Sequence, residues 1–311
     1  KKKKMKKHIP TIHIIGAGVS GLSAAFHLLK KAPCHIKLYE KSDKIGGRVV
    51  RVKNIFDAGA QYFTMRSPEL QDFFKKYKPF LHSWTPTNLL SVDEHGTFHR
   101  LSDAQPDRFV FKHQGVFGFP SLLLKRCQKM GADPLCSSSS FSDRSFSLSL
   151  STTIDNLHSD LEFSNDADKI VLSGSFVEAS RVFKQSSLKI PSPMDDLTPI
   201  DAFSYAISLP IDSSMVLSSF ECLPLSQLDG VFVNDPSSPI TWLCLENRKH
   251  PSFSHQHLCF TVHCSVACSS NDLFAALDAL FSFSYFSSKG SLLSSLSFPS
   301  SRTTSSLSSG F

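Results

Sequence analysis

Residues 11–40 read TIHIIGAGVSGLSAAFHLLKKAPCHIKLYE, and their pattern predicts the fold of the N-terminal part of the chain. An apolar run at 11–15 leads into a glycine turn, a stretch with helical spacing follows at 22–31, and a second apolar run occupies 36–39. Apolar runs of strand length on either side of an amphipathic helical stretch predict the order strand, helix, strand. The chain therefore begins with a βαβ unit.

The glycine turn has the pattern G-x-G-x-x-G typical of dinucleotide-binding units. The first glycine allows the tight turn, the second lets the backbone approach a pyrophosphate, and the third lets the helix pack closely on the strand. Glu40 ends the second strand 19 residues after the last glycine, where a carboxylate can accept hydrogen bonds from ribose hydroxyls. The alternative is a glycine-rich turn with a solvent-facing glutamate. The residues that we predict to bind the nucleotide are Gly16, Ala17, Gly18, Val19, Ser20, Gly21 and Glu40.

Two further glycine-containing segments follow the acidic residue, KIGGR at 44–48 and FDAGAQYF at 56–63. An arginine beside two flexible glycines is suited to reach a diphosphate, and a second glycine turn lets the backbone approach a flat ring system. The alternative is a pair of surface loops with a solvated arginine.

The patterns E-K-x-x-x-x-G-G-R at 40–48 and F-D-x-G-A-Q-Y at 56–62 resemble the flavin amine oxidase superfamily, and within it the renalase-like group. Weaker similarity continues to about residue 280. The resemblance implies bound FAD, held by a doubly wound α/β (Rossmann-like) domain, and a second α+β substrate domain with a mixed sheet. It adds as cofactor-binding residues Lys41, Gly47, Arg48, Gly59, Ala60, Gln61 and Tyr62, of which the last two are expected nearest the flavin.

The resemblance also implies the reaction, a hydride transfer from a small reduced substrate to flavin and then to oxygen. That substrate is an amine in amine oxidases and an isomer of reduced nicotinamide dinucleotide in renalase-like enzymes. No catalytic acid or base is assigned from the sequence. Two alternatives stay open: an NAD-dependent dehydrogenase built on the same βαβ unit, and a degenerate nucleotide-binding protein without turnover.

Charge and composition exclude several other classes. The net charge of +6 comes from six lysines in residues 1–7, and the rest of the chain has as many basic as acidic residues. We therefore expect a solvated basic tail, no nucleic-acid partner and no membrane span, since no apolar stretch is long enough. Eight irregularly spaced cysteines favour reduced thiols and a cytoplasmic location.

Histidines and cysteines are dense between residues 255 and 268, which raises the question of a zinc site. Their spacing matches no common zinc motif, and Leu258, Phe260 and Val262 alternate as in a strand. We therefore predict no metal. Trp84 and Trp242 are interpreted as packing residues.

Composition also suggests how the chain is divided. We predict a basic tail at 1–7, an FAD-binding domain at 8–70 and 113–190, a substrate domain at 71–112 and 191–281, and a disordered serine-rich tail at 282–311. The serine-rich stretch at 136–153 is compatible with either a strand or a loop.

Near the C-terminus the chain departs from the family it resembles. Family members have a second glycine-rich segment there, with the dipeptide G-D, whereas the late glycines here, Gly290 and Gly310, lie in the serine-rich tract. We expect a chain cut short or shifted in frame after about residue 280, which would hold FAD weakly.

Overall fold

The computed structural model describes most of the chain. The lysine-rich residues 1–7, His255 and the last nine residues are among those that lie outside the described part. The described residues are 8–101, 107–132, 144–155, 157, 160, 169–189, 198–210, 216–217, 223–250, 256–281, 286–287 and 290–302.

Strands and helices alternate at first, and strands dominate later. The strands are β1 Thr11–Ile15, β2 His35–Tyr39, β3 Arg51–Val52, β4 Phe56–Asp57, β5 Phe63–Thr64, β6 Leu81–Trp84, β7 Leu89–Val92, β8 Phe98–Arg100, β9 Arg108–Phe111, β10 Ser145–Ser149, β11 Lys169–Leu172, β12 Thr198–Pro210, β13 Val216–Leu217, β14 Leu223–Pro224, β15 Gly230–Val233, β16 Ile240–Leu245, β17 His257–Cys264 and β18 Ser291–Arg302. The α-helices are α1 Val19–Lys31, α2 Pro68–Lys75, α3 Gly118–Ala132, α4 Phe176–Gln185, α5 Glu246–Lys249 and α6 Ser270–Phe281.

The chain forms two compact units. Unit 1 comprises Lys1–Arg48, Phe119–Pro199 and Ser301–Phe311, and unit 2 comprises Val49–Gly118 and Ile200–Ser300. These limits follow contacts within the chain, and the functional domain boundaries given above stay a prediction.

Unit 1 contains a four-stranded parallel sheet in the order β10-β2-β1-β11. The chain runs outward from β1 through β2 to β10 and then returns to the other side of β1, which is the doubly wound arrangement. The structure thus confirms the predicted α/β fold class. Within the serine-rich stretch at 136–153, residues 145–149 form strand β10, which pairs in register with β2, and residues 136–143 lie outside the described part.

Helix α1 packs through one apolar face. Leu22, Ala25, Phe26 and Leu29, spaced three and four residues apart, are all buried. Fully burying each of the larger side chains contributes about 1.5 to 3 kcal/mol, so this face holds the helix on the sheet.

Unit 2 is built on a seven-stranded mixed sheet in the order β18-β12-β17-β16-β15-β7-β8. β15 and β7 pair in parallel, whereas β16 pairs antiparallel with β15 and with β17. This is the mixed sheet that we predicted for the second domain.

The two faces of this sheet differ because side chains alternate along each strand. Leu258, Phe260 and Val262 of β17 belong to the main core, together with Leu273 and Leu277 of α6. Thr261 and His263 lie at the intervening positions and face the other way, where polar contacts are made.

The C-terminal segment corrects part of the predicted disorder at 282–311. Phe286 is fully buried against Phe260 and Phe281, and Ser291–Arg302 form strand β18 beside β12. A few apolar side chains docked on an existing core are enough to order a segment whose average composition is too polar to fold alone. Residues 303–311 lie outside the described part.

Among the described residues, the helices are all too short or too polar to cross a bilayer.

Candidate functional site

The glycine turn of unit 1 joins β1 to α1. Gly16 has φ +105°, which favours glycine, and its N–H donates to the Tyr39 carbonyl at 2.8 Å. A Cβ at Gly21 would collide with the Gly16 carbonyl oxygen and the Ser173 hydroxyl. The first and third glycines of the motif are therefore required by the packing of the protein itself.

Gly18 is different, because its surroundings are open. A Cβ built there would have as its nearest neighbours the Gly47 Cα at 3.8 Å and the Gly46 oxygen at 3.9 Å. Gly18 is also the N-cap of α1, and no side chain caps that helix end. An uncapped helix N-terminus beside a glycine with free space is the arrangement that accepts a phosphate.

Glu40 lies directly under this turn and is buried, with 8% of its surface exposed. Its Oε2 accepts the Ala17 N–H at 2.8 Å, and its Oε1 accepts the Ser42 N–H at 3.0 Å. The Ser42 hydroxyl also donates to Oε1 at 3.0 Å, so about one of the four acceptor positions of a carboxylate stays open for a ribose hydroxyl. The predicted acidic residue and the glycine turn are thus in direct contact.

The loop at 46–48 also reaches the turn. The Gly46 N–H donates to the Ala17 carbonyl at 2.9 Å, and Gly46 and Gly47 both have positive φ. Arg48 is exposed. Lys41 instead pairs with Glu178 of α4 at 2.5 Å, so its ammonium already has an acidic partner within unit 1.

The other predicted cofactor residues, Gly59, Ala60, Gln61 and Tyr62, lie in unit 2. The Gln61 side chain is buried and points into the protein. Its Nε2 donates to the carbonyls of Asp57 and Gly59, and its Oε1 accepts from the Lys249 ammonium at 2.9 Å. Both amide hydrogens of Gln61 are therefore already used, and the backbone and Tyr62 are what this segment offers a ligand.

Four ionisable side chains form a buried cluster around Gln61, which we call the Lys249 cluster: Asp57, Glu246, Lys249 and His250. The Lys249 ammonium lies 3.0 Å from Glu246 and 3.4 Å from Asp57. His250 Nε2 lies 2.9 Å from Asp57 Oδ2. Sequence reasoning missed this cluster. The sequence did carry one indication of it. Glu246, Lys249 and His250 are three and four residues apart, which places a carboxylate, an ammonium and an imidazole on one side of a helical turn.

Burial and neighbouring charges shift the pKa values of the cluster in different directions. Burial raises the pKa of Asp57, but Lys249 and His250 outweigh burial, so that the pKa is lowered overall. Burial raises the pKa of Glu246 to about 7; Lys249 opposes this rise and the Asp57 charge reinforces it. Burial lowers the pKa of Lys249, but its two acidic neighbours raise it above the ordinary value. The arrangement is therefore an ammonium held between two carboxyl groups.

Asp57, Glu246 and His250 place ligand atoms within 4.8 Å of one another, close enough for a metal ion. Lys249 already supplies a positive charge to both carboxylates, so a metal would have to displace an ammonium. The histidine and cysteine group around β17 is divided by strand alternation, because Cys264 lies in the main core while His263 faces the opposite side and lies 3.0 Å from the Ala58 carbonyl. That no metal binds stays a prediction.

Beside the cluster lies a second group, which we call the aromatic cluster: Tyr62, Trp84, Leu89, Leu101, Phe232, Trp242 and Cys244. The buried Arg108 guanidinium lies 5.0 Å from the Tyr62 ring centre and 5.8 Å from that of Trp84. Both indole nitrogens are buried and have no hydrogen-bond partner among the described residues. The two tryptophans do pack, as predicted, and they also leave two donors unused.

Comparison with known proteins identifies a family for the N-terminal part of the chain. Residues 14–77 match the family model described as an NAD(P)-binding Rossmann-like domain. The chain is 39% identical over 75 residues to tryptophan 2-monooxygenase of Pseudomonas savastanoi, covering 22% of this chain and 14% of that protein. It is 50% identical over 42 residues to polyenoic fatty acid isomerase of Ptilota filicina, covering 14% of this chain and 8% of that protein. The chain thus matches only a small part of the length of these relatives.

A solved structure extends the likeness to the whole fold. The putative protoporphyrinogen oxidase of Exiguobacterium sp. 255-15 superposes with a TM-score of 0.65 over 96% of this chain and 89% of that one, at 11% identity. At so low an identity the likeness establishes the fold and not the reaction.

Proposed function

We propose that this chain is an FAD-dependent oxidoreductase that oxidises a small reduced substrate and passes the electrons to oxygen. The observation that carries the proposal is the geometry of unit 1, where an uncapped helix N-terminus, the open space at Gly18 and the carboxylate of Glu40 meet. The residues present fit the adenosine diphosphate half of a dinucleotide.

The choice of FAD over NAD is supported by the sequence around that turn. The patterns G-G-R at 46–48 and F-D-x-G-A-Q-Y at 56–62 carry the resemblance to flavin amine oxidases, and a 75-residue segment of the chain is similar to a monooxygenase. When bound, FAD would supply the two-electron acceptor, which no side chain provides. The role left to the chain is to bind, to orient and to exclude water.

We assign the residues of unit 1 the following roles in holding this group. Gly18 and the first amides of α1 receive the pyrophosphate, because the helix dipole and free N–H groups favour an anion. Glu40 accepts the ribose hydroxyls. Arg48, exposed on the adjoining loop, is the residue free to move toward a phosphate.

The aromatic cluster leaves both substrate classes open. The indole nitrogens of Trp84 and Trp242 are buried, and the Arg108 guanidinium packs on the Tyr62 ring, so these groups act in packing. The proposed substrate is therefore either an amine or a reduced nicotinamide.

A titration with FAD, NAD and ADP tests the proposal. We expect FAD to bind and to give visible flavin absorption, and Glu40→Ala to weaken binding by about 10- to 100-fold, the scale of a hydrogen bond to a charged group. Glu94→Ala, at an exposed acid, is the matched control.

The outcomes separate the alternatives. Binding of NAD in preference to FAD would support a dehydrogenase. Binding of FAD without hydrogen peroxide formation from reduced nicotinamides or amines would support a degenerate protein. Unchanged affinity in Glu40→Ala would remove Glu40 from the site.

A reducing, cytoplasmic location belongs to the same proposal. The six cysteines in the described residues are all free thiols, and burial raises the pKa of several of them, including Cys127 to about 12. Buried thiols of this kind pack as small apolar side chains, which fits a reducing location.

A further inference from the structure

The Lys249 cluster requires an explanation beyond packing. Lys249 and Glu246 have no exposed surface, and Asp57 and His250 are 1% exposed. Burying charges costs several kcal/mol per ion before pairing, and well-packed apolar residues often serve stability as well or better. A cluster of this kind is therefore a candidate for a specific role.

The contacts of Gln61 indicate what that role is. A primary amide offers two donors and one acceptor oxygen, and here the donors reach the carbonyls of Asp57 and Gly59 while the oxygen receives Lys249. Only this orientation of the amide suits two carbonyls on one side and an ammonium on the other. Two of these contacts close the turn at 57–61 on itself, and the third, from Lys249, ties the turn to helix α5, which lies far away in sequence.

The acidic members of the cluster hold Lys249 in place. Glu246 Oε1 accepts from Thr261 Oγ1 at 2.6 Å and from Lys249 at 3.0 Å. Asp57 Oδ1 accepts the Val116 N–H at 3.1 Å, while Oδ2 faces His250 and Lys249. The ammonium is thus held by one carboxylate of β4 and one of its own helix α5, and it cannot move away from Gln61 without losing both contacts.

We propose that Lys249 is a positioning residue, whose ammonium orients the Gln61 carboxamide and thereby sets the backbone of residues 57–62 that we predict to contact the cofactor. The inference rests on the proposed function for its consequence but not for its geometry. Lys249 contacts neither substrate nor cofactor in this role, and it acts only through Gln61.

The experiment compares three variants of the full chain. Glu246→Gln/Lys249→Met removes two opposite charges together. Glu246→Gln alone keeps the bond from Lys249 to Gln61, because the new amide oxygen still accepts from the ammonium and Asp57 still pairs with it. Gln61→Leu removes the amide while leaving all charges in place. Lys75→Met, at an exposed lysine of α2, controls for the methionine substitution. Backbone amide exchange of residues 56–63 is measured without ligand, and FAD affinity and the visible spectrum of bound FAD are measured by titration.

We expect the double variant and Gln61→Leu to exchange these amides faster by about tenfold or more, the scale of losing a hydrogen bond to a charged group. We expect the same two variants to weaken FAD binding by about tenfold and to shift the flavin spectrum. Glu246→Gln and Lys75→Met should stay close to the unsubstituted chain. Adding Gln61→Leu to the double variant should change amide exchange and FAD affinity little further, because both changes remove the same contact between Lys249 and Gln61.

Exchange in the double variant equal to that of Glu246→Gln would overturn the inference, since Lys249 would then not hold the turn. Faster exchange with unchanged FAD affinity and spectrum would reduce the cluster to a structural role and also overturn it. If the unsubstituted chain binds no FAD, the proposed function fails, and the exchange comparison alone decides whether Lys249 holds Gln61.

Discussion

At the residue scale, the three glycines of one motif serve different purposes. Gly16 and Gly21 are needed by the fold, since one has positive φ and the other has no room for a Cβ. Gly18 has φ −70° and open space around it, so nothing in the protein requires glycine there. The space beside Gly18 is therefore open to a ligand, as the proposed pyrophosphate site requires.

Alanine at each position separates these purposes. Gly21→Ala should lower the free energy of unfolding by about 1 to 3 kcal/mol, because the new Cβ must push aside backbone atoms. Gly18→Ala should leave stability nearly unchanged and weaken FAD or ADP binding. Urea unfolding and nucleotide titration of both variants test this pair, and a stable Gly21→Ala protein would contradict the packing account.

At the element scale, the C-terminal segment shows how a polar stretch becomes ordered. Phe286 is completely buried and stacks on Phe281 at 5.7 Å, and its N–H donates to Asp278 at 2.7 Å. The serines of β18 do not oppose a strand, because an edge strand needs backbone pairing more than it needs an apolar pattern. Leu292 adds a contact with the main core.

Truncation of the anchoring side chain tests this view. Phe286→Ala should destabilise unit 2 by about 3 to 5 kcal/mol, the usual cost of emptying a buried phenylalanine site. Phe80→Ala, at a phenylalanine that is 61% exposed, should change stability little. Equal effects of the two substitutions in urea unfolding would show that Phe286 is not part of the core.

At the scale of the whole molecule, unit 2 carries histidines that must stay neutral. Burial lowers the pKa of His250, and it lowers that of His263 to about 4, while the unfolded groups titrate near 6.5. Stability from these two groups is complete above that pH and is lost as the pH falls toward their folded pKa values. Glu246 acts in the opposite sense, because its raised pKa makes its contribution disappear as the pH rises from about 4.3 through about 7.

In Glu246→Gln, which lacks the opposing contribution of Glu246, the thermal midpoint of unit 2 should be lower at pH 5 than at pH 7. Both tryptophans of the chain lie in unit 2, so their fluorescence follows its unfolding separately. The unsubstituted chain should show a weaker dependence in the same measurement, because Glu246 acts against the histidines. A higher midpoint of Glu246→Gln at pH 5 than at pH 7 would contradict the proposed protonation states.

Features that depend on near neighbours in the chain could be predicted from the sequence. The βαβ unit and the glycine turn with Glu40 follow from local spacing and from which residue types tolerate a given backbone. The N-terminal patterns also indicated the family resemblance, because glycine spacing is a local property.

Three features could not be predicted from the sequence and are known from the tertiary structure: the Lys249 cluster, the inward orientation of Gln61 and the burial of Phe286. Gln61 and Lys249 are 188 residues apart, and nothing in the spacing around either one specifies the other. Which charges are buried together depends on how β4 and α5 meet across the sheet of unit 2, and local periodicity carries no information about that meeting. Burial then changes the chemistry, since the same lysine, glutamate and histidine on an exposed helix would titrate normally and hold nothing in place.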